Sequence, residues 1–114
     1  MNFGTKEKAG VVIISLEGEM MGGPDAARLA ELFHHLINEG NKQIIINLEK
    51  VDRMNSSGLG ILIGGLTAVR NQGGDIKLLH VGKKPRALLQ ITKLDCIFEI
   101  YDDEDTAIGS YTGK

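Results

Sequence analysis

Two spacings of apolar residues alternate along this chain. Short β-branched runs read as strands, and runs stepping by three and four read as helices. Asn2–Lys8 is weakly patterned and predicts an edge strand. Ala9-Gly10 offers a tight turn into Val11–Leu16, a valine- and isoleucine-rich run, so the two predict an antiparallel hairpin. Gly18 and the pair Gly22-Gly23 then break the chain. Pro24 suits the first turn of a helix, where its missing N–H costs nothing, and Asp25 adds favourable charge there. Ala26, Leu29, Leu32, Phe33, Leu36 and Ile37 form one buried stripe, and Gly40 stands where a left-handed C-cap belongs.

Ile44-Ile45-Ile46 centre a continuous apolar strand over Gln43–Leu48, which suits the middle of a covered sheet. Glu49–Met54 reads as a loop. A second helix is predicted from Gly58 to about Arg70, with Leu59, Leu62, Ile63, Leu66 and Val69 on its core face. Gly64-Gly65 inside it costs about 1 kcal/mol per glycine relative to alanine, which implies another backbone packed close at that turn. Asn71–Gly74 ends the helix, and Asp75–Val81 predicts a third core strand. Pro85 opens a helix with Ala87, Leu88, Ile91 and Leu94 facing inward. Phe98–Tyr101 predicts a final strand and Thr106–Tyr111 a short terminal helix. The order β-β-α-β-α-β-α-β-α predicts an α/β fold: a mostly parallel mixed sheet of about five strands, an antiparallel N-terminal edge and about four helices.

Composition narrows the function classes. A chain of 114 residues with 42% hydrophobic content is enough for one domain with its own core, expected to span residues 1–114. A formal charge of −2 supplies no broad basic field for nucleic acid or an anionic membrane, so neither is an expected partner. With no Trp, two Tyr and three Phe, stacking platforms for single strands are scarce. Cys96 stands alone and cannot form an internal disulfide; a buried, small apolar role is expected for it. Nothing resembles a secretory signal, so the expected location is cytoplasmic.

The candidate chemistry lies in Met54-Asn55-Ser56-Ser57-Gly58. This stretch leaves the predicted central strand and enters a helix, where loops of open α/β sheets carry function. Backbone N–H groups and the helix dipole make such a place electropositive. A phosphoryl group of charge about −1.5 to −2 on a serine hydroxyl there is stabilised rather than expelled. Serine at a helix start is equally what a plain N-cap needs. The local pattern leaves both roles open.

The longer pattern resembles a family. Ile-Ile-Ile-Asn-Leu-Glu-Lys-Val-Asp-Arg-Met-Asn-Ser-Ser-Gly-Leu-Gly (44–60), an apolar helix, Gly-Gly, and Ile-Lys-Leu-Leu-His-Val (76–81) are similar to STAS domains, most of all the bacterial anti-sigma-factor antagonists. Leu-Glu-Gly-Glu (16–19) and Lys-Lys-Pro-Arg-Ala-Leu (83–88) fit the same resemblance, which runs from Val11 to about Ile108. It implies a binding protein, not an enzyme. In that family the unphosphorylated antagonist binds an anti-sigma factor that is a serine kinase, and a sigma factor is released. The kinase then phosphorylates the first serine of the Ser-Ser-Gly core, and a phosphatase resets it. On this chain that serine is Ser56, with Asn55, Ser57, Gly58, Leu59, Lys83 and Arg86 as the implied partner contacts. No cofactor is implied for the antagonist; ATP and magnesium belong to the kinase. A monomer or weak dimer is expected. The family usually carries Asp where this chain has Asn55, and tends to carry Asp where it has Met21. The alternative is a non-phosphorylated STAS scaffold or binding module within a larger regulatory complex. A small-molecule or lipid-binding module would need an apolar cavity.

Other motifs give less. Gly58-Leu59-Gly60…Gly64 has the wrong spacing for a dinucleotide turn and reads as packing. Ser56 lacks the Gly-x-Ser-x-Gly elbow of a hydrolase nucleophile. His34 and His35 are expected in solvent, and no Cys/His set has metal-ligand spacing. Lys83-Lys84-Pro85-Arg86 is either a solvated helix entry or a contact for an acidic or phosphorylated partner. Asp102–Asp105 reads as charge at a helix N-terminus.

Overall fold

The computed structural model describes residues 2–113. Its elements are β1 (Asn2–Lys8), β2 (Val11–Met20), α1 (Pro24–Asn38), β3 (Gln43–Met54), α2 (Ser56–Asn71), β4 (Asp75–Leu79), α3 (Lys83–Ile91), β5 (Ile100–Tyr101) and α4 (Glu104–Thr112). The five strands form one sheet in the order β1-β2-β3-β4-β5. Only β1–β2 is antiparallel; the other pairs are parallel. The predicted element order and sheet type therefore hold.

The hairpin closes with Lys8 opposite Val11. Ala9 and Gly10 both take positive φ, 56° and 78°, as a two-residue turn matched to strand twist requires. Each parallel step needs a crossover, and α1, α2 and α3 supply them on one face. There they cover Val12, Ile14, Leu16, Ile44, Ile46, Ile76 and Leu78. The opposite face carries Val11, Ile13, Ile45 and Leu79, which α4 caps with Ala107 and Ile108. With both faces covered, the continuous isoleucine run is the expected pattern. At the end of α1, Gly40 N–H donates to Ile37 O (3.0 Å) and Asn41 N–H to Leu36 O (2.9 Å), a Schellman closure around the left-handed Gly40.

Four expectations need correction. First, Glu49–Met54 is strand, not loop. β2 and β3 continue past the rest of the sheet as a parallel ribbon, pairing Glu17 with Lys50 and Met20 with Met54. Its charged residues face solvent while Leu48 and Val51 stay buried, so the polar composition disguised a ladder. Gly18, at φ 111°, lies at an irregularity that keeps Met20 on the core side. Second, the close neighbour at Gly64-Gly65 is a ring rather than the backbone expected there. A β-carbon on Gly65 would meet the Phe33 ring at 2.5 Å, whereas one on Gly64 would meet nothing within 4 Å. Third, α3 begins two residues before Pro85 and buries Pro85 and Leu89. Of the predicted inward stripe, Leu88 and Leu94 pack against the core, but Ala87 is exposed and Ile91 is 79% exposed. Fourth, Cys96 is exposed, its thiol donating to Lys93 O at 3.2 Å. Lys93 turns the chain with φ 60°, and Phe98 enters the core in place of the cysteine.

The remaining boundary shifts are small. The final strand is only Ile100–Tyr101, and β4 stops at Leu79 because His80 takes a left-handed φ of 53°. One buried group escaped the sequence reading. Lys77 is 5% exposed beneath α4, with its ammonium 2.7 Å from Ser110 Oγ and 4.2 Å from the Tyr111 ring centroid.

Candidate functional site

The β2–β3 ribbon carries the serine loop outward. Asn47 is the last β3 residue paired with β4, and Met54 lies seven residues further along. At 3.3 Å per residue that is roughly 20 Å of strand. β3 then ends and α2 starts within one residue, at Asn55.

Asn55, not a serine, is the cap. Its backbone is extended (φ −110°, ψ −177°), and its Oδ1 accepts from the Gly58 N–H at 2.9 Å. Its Nδ2 donates to the Met21 carbonyl at 3.2 Å, and its own N–H donates to Met20 O at 3.3 Å. One amide side chain thus ties the end of β2 to the start of α2. A carboxylate supplies the cap oxygen but not the second bond, because it has no hydrogen to donate.

Ser56 and Ser57 are the first two residues of α2, and both are exposed. With the Asn55 and Gly58 N–H groups occupied, those of Ser56 and Ser57 are left at the helix end, with no partner among the described residues. The helix behind them runs 16 residues, long enough for its aligned peptides to matter. The two serines are not equivalent. Ser57 is crowded by the β2–α1 turn: a β-carbon built on Gly22 would lie 2.9 Å from Ser57 Cβ. Ser56 stands free of that contact.

Gly58 and Leu59 are buried, Leu59 at 2% exposure. The implied partner role does not survive for Leu59, whose side chain belongs to the core. Gly58 acts from below the surface. A β-carbon there would lie 1.9 Å from the Met20 carbonyl oxygen, so only glycine lets α2 start this close to β2.

Lys83 is exposed at the start of α3, which begins just past β4. Arg86 reaches Asp102 at 3.6 Å. The structure brings Asn55, Ser56, Ser57 and Gly58 together with Met20–Gly22, while Lys83 and Arg86 lie on α3, a helix that packs against β3. Of the Met20–Gly22 turn, sequence reasoning singled out only Met21, where the family tends to carry Asp, and did not see Gly22 against Ser57. The signal was present in Gly22-Gly23, two glycines following a strand and preceding a helix. His34 and His35 are exposed, and His35 pairs with Glu39 one turn on. Asp103 caps α4, accepting from both the N–H and the hydroxyl of Thr106 at 2.9 Å. These bonds hold its carboxyl below the usual aspartate range. Among the described residues, no helix is long and apolar enough to cross a membrane.

Comparison with known proteins points the same way. The chain is 27% identical over 99 residues to the anti-sigma F factor antagonist of Paenibacillus polymyxa, covering 87% of this chain and 85% of that protein. A Thermotoga maritima protein superposes with a TM-score of 0.87 at 28% identity, covering 95% of this chain and 92% of the other. The Bacillus cell fate determinant SpoIIAA in its phosphorylated form superposes with a TM-score of 0.77 over 96% of this chain and 99% of the other, at 24% identity. The STAS domain profile matches residues 2–107. The sheet order, the crossover helices and the serine pair at the head of α2 are thus those of a chain that belongs to the STAS domain family.

Proposed function

We propose that this protein is an anti-sigma-factor antagonist, switched off by phosphorylation of Ser56. Its unphosphorylated form binds an anti-sigma factor that is itself a serine kinase, and a sigma factor is set free. The observation that carries this reading is the exposed Ser56 hydroxyl at the first position of α2, beside two backbone N–H groups that have no partner among the described residues. The kinase moves the γ-phosphoryl of ATP to Ser56 Oγ. The Oγ–P bond forms, the bond to the β-phosphate oxygen breaks, and the hydroxyl proton passes to a base of the kinase. ATP and magnesium stay with the kinase, and this chain performs no catalysis of its own. A phosphatase reverses the step, and the exchange takes place in the cytoplasm.

The helix end tolerates the added charge, so the switch needs no refolding. Instead, about two negative charges stand on a face the kinase had covered, and the complex parts. Ser56 is favoured over Ser57 because Ser57 is crowded by the turn at Gly22. Asn55 supports a second reading. An uncharged residue beside the acceptor suits a STAS binding module that is never phosphorylated.

The test is a binding titration of wild type and Ser56→Asp against the purified kinase. The switch predicts a loss of about tenfold or more for Ser56→Asp, equivalent to at least 1.4 kcal/mol. Equal affinities contradict the electrostatic account.

A further inference from the structure

α1 and α2 lie side by side but do not close over each other beyond Ser57. An open, mainly apolar groove of about 560 Å³ runs between them, walled by Ala26, Ala30, Phe33, Ser57, Ile61 and Gly64. Ile61 is only partly buried, so the groove exposes apolar surface the core does not use. Met21 directly precedes Gly22, which packs close to Ser57 of the groove's lining. Met21 is 42% exposed, and the only other large exposed hydrophobic among the described residues is Ile91 on α3. Met21 is also held in place, through its carbonyl bond to Asn55.

Charge says what fits. The sixteen residues Met54–Val69 carry no ionisable side chain, and neither do Met20–Pro24. The first acid on α1, Asp25, lies 3.4 Å from Arg28. The groove's lining holds no Asp, Glu, Lys or Arg, and its one ionisable side chain is His34 on α1, so it offers no carboxylate or permanent cation to a charged segment, and desolvating a charge against it is unfavourable. It suits an apolar side chain. The glycines agree. Gly58 and Gly65 are required by the fold itself, with β-carbons that would clash at 1.9 Å and 2.5 Å. Gly60 and Gly64, also in α2, would clash with nothing within 4 Å. Intramolecular packing does not call for glycine at either place, and both line the groove.

We propose that the α1–α2 groove receives an apolar side chain from the docking segment of the partner kinase, with Met21 completing the contact. This rests on the antagonist reading above. Ser57, next to the acceptor Ser56, is itself part of the groove's lining, so a kinase docked at Ser56 lies within one residue of it. Recognition next to the acceptor is then by shape and apolar burial, not by an acid.

The test uses the full chain and the histidine-kinase-like serine kinases of the same organism, purified one by one, with ADP present. Gly64→Leu fills the groove, and Met21→Glu places a charge on the adjoining turn. Each should weaken kinase binding about tenfold or more, while Ile91→Glu, on α3, leaves it unchanged. Gly64→Ala should raise Tm by about 4 °C through helix propensity and still weaken binding. Should Gly64→Leu fail to fold, Gly60→Leu puts bulk on the same wall. A kinase that binds the wild type and phosphorylates Ser56, yet binds folded groove variants equally well, overturns this inference and leaves the antagonist reading intact. If no kinase binds the wild type, both fall. If Gly64→Leu changes only self-association of the free protein, the occupant is a second copy and the proposal is wrong.

Discussion

At the scale of single residues, the site depends on an amide and a glycine. Asn55 spends its oxygen on the Gly58 N–H and its nitrogen on the Met21 carbonyl. Asn55→Ala removes both, and a loss of about 1 kcal/mol, the usual cost of deleting an N-cap, is expected in urea unfolding. Asn55→Asp should lose less, since the cap oxygen survives, and its negative charge faces the helix N-terminus. Equal losses for the two variants would mean the cap bond contributes nothing. The sequence placed this residue in the site but left its role open. Serine and asparagine are comparable caps, and the choice between adjacent positions depends on where β3 stops. That stop is set by pairing with β2, a long-range contact that local pattern does not carry.

At the scale of elements, what was legible divides along local and non-local lines. α1 was read correctly at both ends, because Pro24, the apolar stripe and Gly40 are all local signals. The ribbon was missed, because its charged residues hide a strand that exists only through its neighbour. The inward face of α3 was read only in part, with Leu88 right but Pro85 and Leu89 missed, because Pro85 marks a first turn, not a first residue. The buried Lys77 was missed because its neighbours, Ser110 and Tyr111, come from a helix 33 residues away and more. That helix, α4, gives a pH test. Asp103 is held below the ordinary aspartate pKa by Thr106, so folding favours its charged form. Its contribution is full above about pH 4, the unfolded value, and fades as pH falls through the lower folded value. Protection of the α4 amides, measured against the intrinsic exchange rate at each pH, should therefore fall over that acid range before protection in β3 does. Asp103→Asn should flatten the pH dependence. Parallel loss of α4 and β3 protection, unaffected by Asp103→Asn, would contradict this.

At the scale of the whole molecule, the fold separates support from display. The sheet is covered on both faces, and Tyr111 pins α4 by donating to the carbonyls of Ile44 (2.8 Å) and Asp75 (2.7 Å). Both bonds lie at the start of β3 and β4, the far end from Ser56. The ribbon, the Met20–Gly22 turn and the head of α2 form the exposed tip. A phosphoryl group added there meets few of the contacts that hold the core. The candidate site was legible as far as the Ser-Ser-Gly stretch and its helix. Lys83 and Arg86 were grouped with it because both loops follow parallel strands.

The central claim is that a kinase places a phosphoryl group on Ser56 and on no other residue. Intact mass measured after incubation with the purified kinase and ATP tests it most directly. The account predicts one phosphoryl addition, lost in Ser56→Ala and kept in Ser57→Ala. A wild-type mass that stays unchanged while the kinase remains bound, or an addition that persists in Ser56→Ala, would contradict it.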